Sequence, residues 1–186
     1  MDPKCIAIEN EIRDIINELE EEYEVKLSTT QKILLSINGP ITTILDVLYG
    51  KVRLFMLDQH FEKADENLAD FLGINEGDEV LYRNSIVFKR RQPLVHVDSY
   101  IPKERCDPVI IDELINGKLT TGKIMDQYGV ESLRKLNYIS LEKSTPILME
   151  LFKTTEDMLT REYSMIHNEE VIILTKETYP LSYFKI

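Results

Sequence analysis

Residues 79–102, EVLYRNSIVFKRRQPLVHVDSYIP, constrain the chain most. They read as two strands joined at Arg90-Arg91-Gln92-Pro93. Period-two alternation puts Val80, Tyr82, Ile86 and Phe88 on one face and Leu81, Arg83, Ser85 and Val87 on the other. Arg83 therefore shares a face with Leu81 and Val87. A guanidinium there is costly unless it meets an anion, either a structural carboxylate or that of a ligand. The hairpin predicts a sheet built around it, and Arg83 is the first candidate binding residue.

The rest of the chain supplies helices first and more antiparallel strands later. Residues 5–22 carry an apolar stripe at Ile8, Ile12, Ile15, Ile16 and Leu19, with a solvated acidic face opposite. Thr29 or Thr30 opens a short helix over Ile33, Leu34 and Leu35, which Asn38-Gly39-Pro40 interrupts. A helix then runs from Ile41 to Leu48 and closes at Gly50. Thr42 and Thr43 lie in its first turn, where backbone N–H groups are free to face an anion. Residues 51–63 alternate as a strand, with Val52, Leu54 and Met56 against Arg53, Phe55 and Leu57. Asp65 caps a helix ending at Gly73, and Asp107-Pro108 opens another. Residues 121–128 form a short helix, 131–142 a loosely alternating strand and 144–153 a helix. A second hairpin, 158–166 and 171–179, ends the chain. The order predicts one α+β domain over residues 1–186, an antiparallel sheet with helices against one face.

In VIILTKETYP, Val171, Ile173, Thr175 and Glu177 share a strand face. A carboxylate ending an apolar face is either solvated at the sheet rim or held in a pocket. Arg83 and Glu177 together can hold opposite ends of a small polar acid. His96 and Asp98 lie two apart on one face, as a base with its orienter or as cross-strand polarity, but no Ser or Cys nucleophile can be placed beside them. Lys89-Arg90-Arg91 is a solvated turn.

Composition narrows the partners. The chain of 186 residues carries 22 Lys and Arg against 33 Asp and Glu, a net charge of −11, which opposes a nucleic-acid partner. A small anionic ligand then needs local cations. No apolar run approaches the roughly 18 residues of a membrane span. The acidic start, MDPKCIAIENEIRDII, lacks the basic and apolar segments of a signal peptide, so a cytoplasmic location is expected. Cys5 and Cys106 read as two reduced thiols, and no metal-type spacing or glycine-rich phosphate loop occurs.

Three segments in order, SINGPITTILDVLYG, EVLYRNSIVFKRRQPLVHVDSYIP and TREYSMIHNEEVIILTKETYP, make the chain resemble the chorismate lyase (chorismate pyruvate-lyase) family and its archaeal relatives, over about residues 25–186. The fold is also similar to the effector-binding domain of GntR-type regulators. The resemblance implies a monomer with helical flaps over an internal, solvent-shielded pocket. It implies a cofactor-free, metal-free elimination of pyruvate from chorismate, leaving 4-hydroxybenzoate. Arg83 corresponds to the arginine for the ring carboxylate, Glu177 to the carboxylate near the para-hydroxyl, and Ile41 and Thr42 to the segment beside the ring carboxylate. Where the family carries a second basic residue this chain has Asp98, and Arg161 or Lys176 is the expected replacement. The alternative function is a non-enzymatic effector-binding domain. Such regulators carry a basic winged-helix domain ahead of this fold, and the segment before Thr30 is short and acidic.

Overall fold

The computed structural model describes residues 11–116 and 119–185. Six antiparallel strands form one sheet in the order β1-β2-β3-β6-β5-β4. The strands are β1 (Arg53–Lys63), β2 (Glu79–Lys89), β3 (Gln92–Pro102), β4 (Leu133–Glu142), β5 (Met158–His167) and β6 (Glu170–Pro180). The two expected hairpins, β2–β3 and β5–β6, are therefore the four central strands, joined where β3 pairs with β6.

Most helices pack on one face of this sheet, in two groups. Helices α1 (Ile12–Glu22), α2 (Thr29–Ser36) and α3 (Ile41–Tyr49) cover one end. Their apolar side chains, among them Ile15, Leu34 and Leu45, form a core with Val87, Val95, Leu159 and Tyr179 of the strands. Helices α5 (Pro108–Ile115) and α6 (Thr121–Gln127) cover the other end. There Ile111, Leu114 and Ile124 meet Leu81, Ile101 and Ile173. The expectation of an α+β antiparallel fold with helices on one face holds, with one addition. Helix α4 (Glu66–Leu72) lies on the reverse face, where Ala69 and Leu72 bury Val80 and Leu174. Helix α7 (Pro146–Phe152) leads into β5.

The local signals explain these ends. Asp65 accepts from the Leu68 N–H at 2.8 Å, and Gly73 ends α4 with φ at 63°, a left-handed conformation suited to glycine. The cap of α2 is Ser28 rather than Thr29 or Thr30. Its hydroxyl accepts from the Gln31 N–H while the Gln31 side chain accepts from the Ser28 N–H, a reciprocal capping box. Gln31 also donates to the Leu181 and Tyr183 carbonyls, fixing the C-terminal tail against α2. Residues 5–10 of the expected first helix, with Ile8 and Cys5, lie outside the described residues. No helix among the described residues is long and apolar enough to cross a membrane.

Four β-bulges interrupt the strand pairing; one, at Leu94 in β3, puts both Leu94 and Val95 in the core, and the other three change faces that bear on the site or on the reading of β6. One at Leu57 in β1 turns Gln59 onto the helix-covered face opposite Arg83. One at Asn137 in β4 turns Leu136 and Arg134 onto that face, opposite Tyr163 and Met165. A third, at Ile172, corrects the expected face of β6: Ile172 and Ile173 both enter the core under α5 and α6, while Val171 packs against the α4 cluster. An inserted residue shifts the pleat by one and exchanges the side chains offered to each face.

Candidate functional site

Between the two helix groups the helix-covered face of the sheet is polar. One row across the strands reads Gln59, Arg83, Ser99, Thr175, Tyr163 and Leu136. The next row reads Ser85, Val97, Glu177, Arg161 and Ile139. Arg83 and Glu177 thus stand on one face, two strands apart and one row displaced. Sheet spacings put their Cα atoms on the order of 12 Å apart. Both line one internal cavity, which is roofed by Pro40, Ile41 and Thr42 at the start of α3 and by residues 120–122 at the start of α6. Its volume is about 30 Å³, enough for a water or so and not for a six-membered ring.

Arg83 is 3% exposed. Burial lowers its pKa to about 10, so it stays a cation at neutral pH. No carboxylate among the described residues meets it. Its Nε donates to Gln59 Oε1 at 3.0 Å, its Nη1 to Thr121 Oγ1 at 2.7 Å and its Nη2 to the Leu119 carbonyl at 3.3 Å. Neutral acceptors, two of them from the roof, occupy the fork that a planar carboxylate would fit. Lys123 ties the same roof to α3 by an ion pair of 3.0 Å with Asp46.

Glu177 is buried, which settles it away from the solvated rim. Its Oε2 accepts from Arg161 Nε at 2.7 Å, and its Oε1 from the Tyr163 hydroxyl at 3.2 Å. Burial first, and Glu177 second, push the Tyr163 phenol above its ordinary value, so it remains a donor. Arg161 does not line the cavity. It sits behind Glu177, with Nη1 bonded to the Ile37 carbonyl at 3.0 Å and its guanidinium 5.3 Å from the Tyr163 ring centroid. Burial opposes its charge, but the facing Glu177 carboxylate outweighs this and raises its pKa.

Ile41 and Thr42 are both buried in the first turn of α3 and both line the cavity. Thr42 Oγ1 has no hydrogen-bond partner among the described residues. Asp98 and Lys176 are turned to the reverse face. Asp98 accepts there from Tyr82 at 2.8 Å and Asn84 at 2.7 Å, with His96 Nδ1 at 3.5 Å, and Lys176 pairs with Glu142. The His96–Asp98 pair therefore faces away from the cavity, and His96 is buried rather than on the surface. Cys106 is a free thiol that burial raises to about 11, an unreactive group. No group of three or more His, Cys, Asp or Glu among the described residues is placed to hold a metal ion.

Sequence reasoning missed Gln59, Thr121 and Tyr163. Tyr163 shares a strand face with Arg161, the only available signal. Gln59 is hidden by the bulge, and Thr121 reaches the site through tertiary packing alone.

Solved structures similar to the chain include domains of bacterial transcriptional regulators. The effector domain of PhnF from Mycobacterium smegmatis matches with a TM-score of 0.64 at 16% identity, covering 76% of this chain and 88% of that one. The C-terminal domain of the histidine utilization repressor from Pseudomonas syringae pv. tomato matches with a TM-score of 0.63 at 13% identity, covering 73% and 96%. These show a shared fold. A Methanocaldococcus jannaschii protein named "Putative lyase MJ0807" is 27% identical over 160 residues, 82% of this chain and 79% of that protein. Residues 35–185 match the family described as chorismate pyruvate-lyase Rv2949c-like, and the chain belongs to that family.

Proposed function

We propose that the protein is a cofactor-independent chorismate lyase that eliminates pyruvate from chorismate and leaves 4-hydroxybenzoate. One observation carries the reading: a buried arginine with no carboxylate partner among the described residues and a buried glutamate face a single cavity from one sheet face. Arg83 takes the ring carboxylate in a two-pronged, charge-assisted contact, about 1.5–3 kcal/mol for such a bond. Glu177 accepts the hydrogen bond of the ring hydroxyl at the para position. Tyr163 and Arg161 fix the Glu177 carboxylate for that contact.

The chemistry asks little else of the protein. The bond between the ring carbon and the ether oxygen breaks. The hydrogen on the neighbouring hydroxyl-bearing carbon leaves as a proton and the ring aromatises. The departing enolpyruvyl group gains a proton at its methylene carbon and becomes pyruvate. Aromatisation drives the step, so positioning and exclusion of water are the main contributions. The cavity as it stands is too small for the substrate, so on this reading the α6 roof moves outward to admit and hold it.

A second reading has a specific observation in its favour. Solved structures that resemble the chain include regulator domains, and Arg83 is the one cation among the described residues that lines the cavity. On that reading the protein binds an aromatic acid without turnover. Pure protein incubated with chorismate, without metal or nucleotide, separates the two. 4-Hydroxybenzoate and pyruvate appearing together, and lost in Arg83→Ala, support the lyase. Saturable binding without product supports the effector domain.

A further inference from the structure

We propose that Arg134 is a second carboxylate-binding residue of this cavity, completing with the Thr42 and Thr120 hydroxyls a subsite for the acidic side arm of a dianionic ligand. This rests on the lyase-type reading of the site. Chorismate carries two carboxylates, and Arg83 accounts for one. Of the two cations expected to meet the other, Lys176 pairs with Glu142 on the reverse face, and Arg161 pairs with Glu177 and does not line the cavity, although its Nη2 has no hydrogen-bond partner among the described residues.

Arg134 comes from edge strand β4, turned inward by the bulge at Asn137. Its guanidinium passes beneath the start of α6 to the turn before α3. Nη1 donates to the Asn38 carbonyl at 3.2 Å. Nη2 lies so close to Gly122 that a Cβ at that position would meet it at 3.2 Å and Pro40 Cγ at 3.2 Å. Gly122 and Pro40 both line the cavity. The first turn of α6 is thus held between two arginines, Arg83 on its Thr121 side and Arg134 at Gly122. Arg134 is near enough to Tyr163, another lining residue, to oppose the upward push on its phenol.

The polar atoms left over point to a ligand. Arg134 Nε, Thr42 Oγ1 and Thr120 Oγ1 are each shielded from solvent without a hydrogen-bond partner among the described residues. Thr42 and Thr120 line the cavity. Buried donors without partners are costly, and a carboxylate accepts from all three kinds. One guanidinium and two hydroxyls line the cavity, and a second guanidinium lies just behind Gly122 and Pro40 of its wall; this set fits a ligand with two separated carboxylates better than a simple benzoate.

Calorimetric titration with two ligands tests this. One is 4-hydroxybenzoate, with a single carboxylate. The other is 3-(carboxymethoxy)-4-hydroxybenzoate, a stable dicarboxylate with an acidic ether arm beside the hydroxyl. In Arg134→Ala the dicarboxylate is expected to bind tenfold or more weakly, with 4-hydroxybenzoate changed less than threefold. Arg134→Gln keeps a donor for the Asn38 carbonyl and should show the same selective loss at an unchanged melting temperature. Arg83→Ala should weaken both ligands. Equal losses for the two ligands in the Arg134 variants, or none, overturn the inference. Selective loss in a wild type that turns over no chorismate would leave the subsite standing and remove the lyase reading. Failure of the wild type to bind either ligand removes both.

Discussion

Arg161 Nε donates to Glu177 Oε2 at 2.7 Å, and the two side chains are 1% and 5% exposed. Removing one partner of such a pair strands the other charge. Glu177→Ala should therefore lose about 3–5 kcal/mol of stability. Glu177→Gln retains an acceptor for Arg161 and should lose less. On the proposed lyase reading, Glu177, already engaged by two donors, is assigned the role of orienting the ring hydroxyl. Glu177→Gln should then keep kcat within about tenfold of wild type, instead of falling by the roughly 10²–10⁴ of a lost acid–base group. Steady-state kinetics beside thermal melts decide this, and a loss in the larger range at intact fold rejects the orienting role.

Arg83→Ala should lower kcat/KM for chorismate by roughly tenfold or more, on the order of 1.5–3 kcal/mol. Arg83→Lys should not restore it, because an ammonium lacks the planar fork. Wild-type kinetics in Arg83→Ala would take the residue out of the site.

Thr121→Val removes the roof hydroxyl that accepts from Arg83 Nη1. The ligand-free protein then loses a bond worth about 1 kcal/mol, which an incoming carboxylate regains. The expected result is a lower melting temperature with about three- to tenfold tighter binding of 4-hydroxybenzoate. Weaker binding would mean that Thr121 itself contacts the ligand.

His96 gives the protein a pH dependence remote from the cavity. Burial lowers its pKa, Asp98 opposes the shift and Lys176 reinforces it, with Asn84 at 3.2 Å from the other ring nitrogen. The unfolded chain takes up a proton as pH falls through about 6.5, whereas the native ring does so only at lower pH. Stability is thus fully present above that value and declines below it. Urea melts from pH 7.5 to 5 should show a smaller decline in His96→Gln than in the wild type. Parallel profiles would show that His96 is not the source.

The central strands were readable because their pleat runs uninterrupted through the site. Alternation from Leu81 to Val87 places Arg83 correctly, and alternation from Ile173 to Glu177 places the carboxylate. The first turn of α3 was equally legible from Asn38-Gly39-Pro40. Local patterning does not encode which residue lies opposite which across β5 and β6. The same stretch therefore suggested Arg161 as a ligand contact, where the register makes it the partner of Glu177. Gln59 and Arg134 were hidden for another reason: each follows or precedes a single inserted residue that inverts the pleat of an edge strand.

Those inserted residues also bear on how such a site changes over evolutionary time. The inner strands carry the Arg83–Glu177 axis and tolerate little alteration of register. The two outer strands each present their cavity-facing set according to the presence of one residue, Leu57 or Asn137. Deleting Asn137 would exchange Arg134 for Lys135 or Leu133 at the cavity margin, and deleting Leu57 would exchange Gln59 for a neighbour. A length change of one codon in either outer strand would therefore exchange the side chains offered at the cavity margin while the central framework stays as it is.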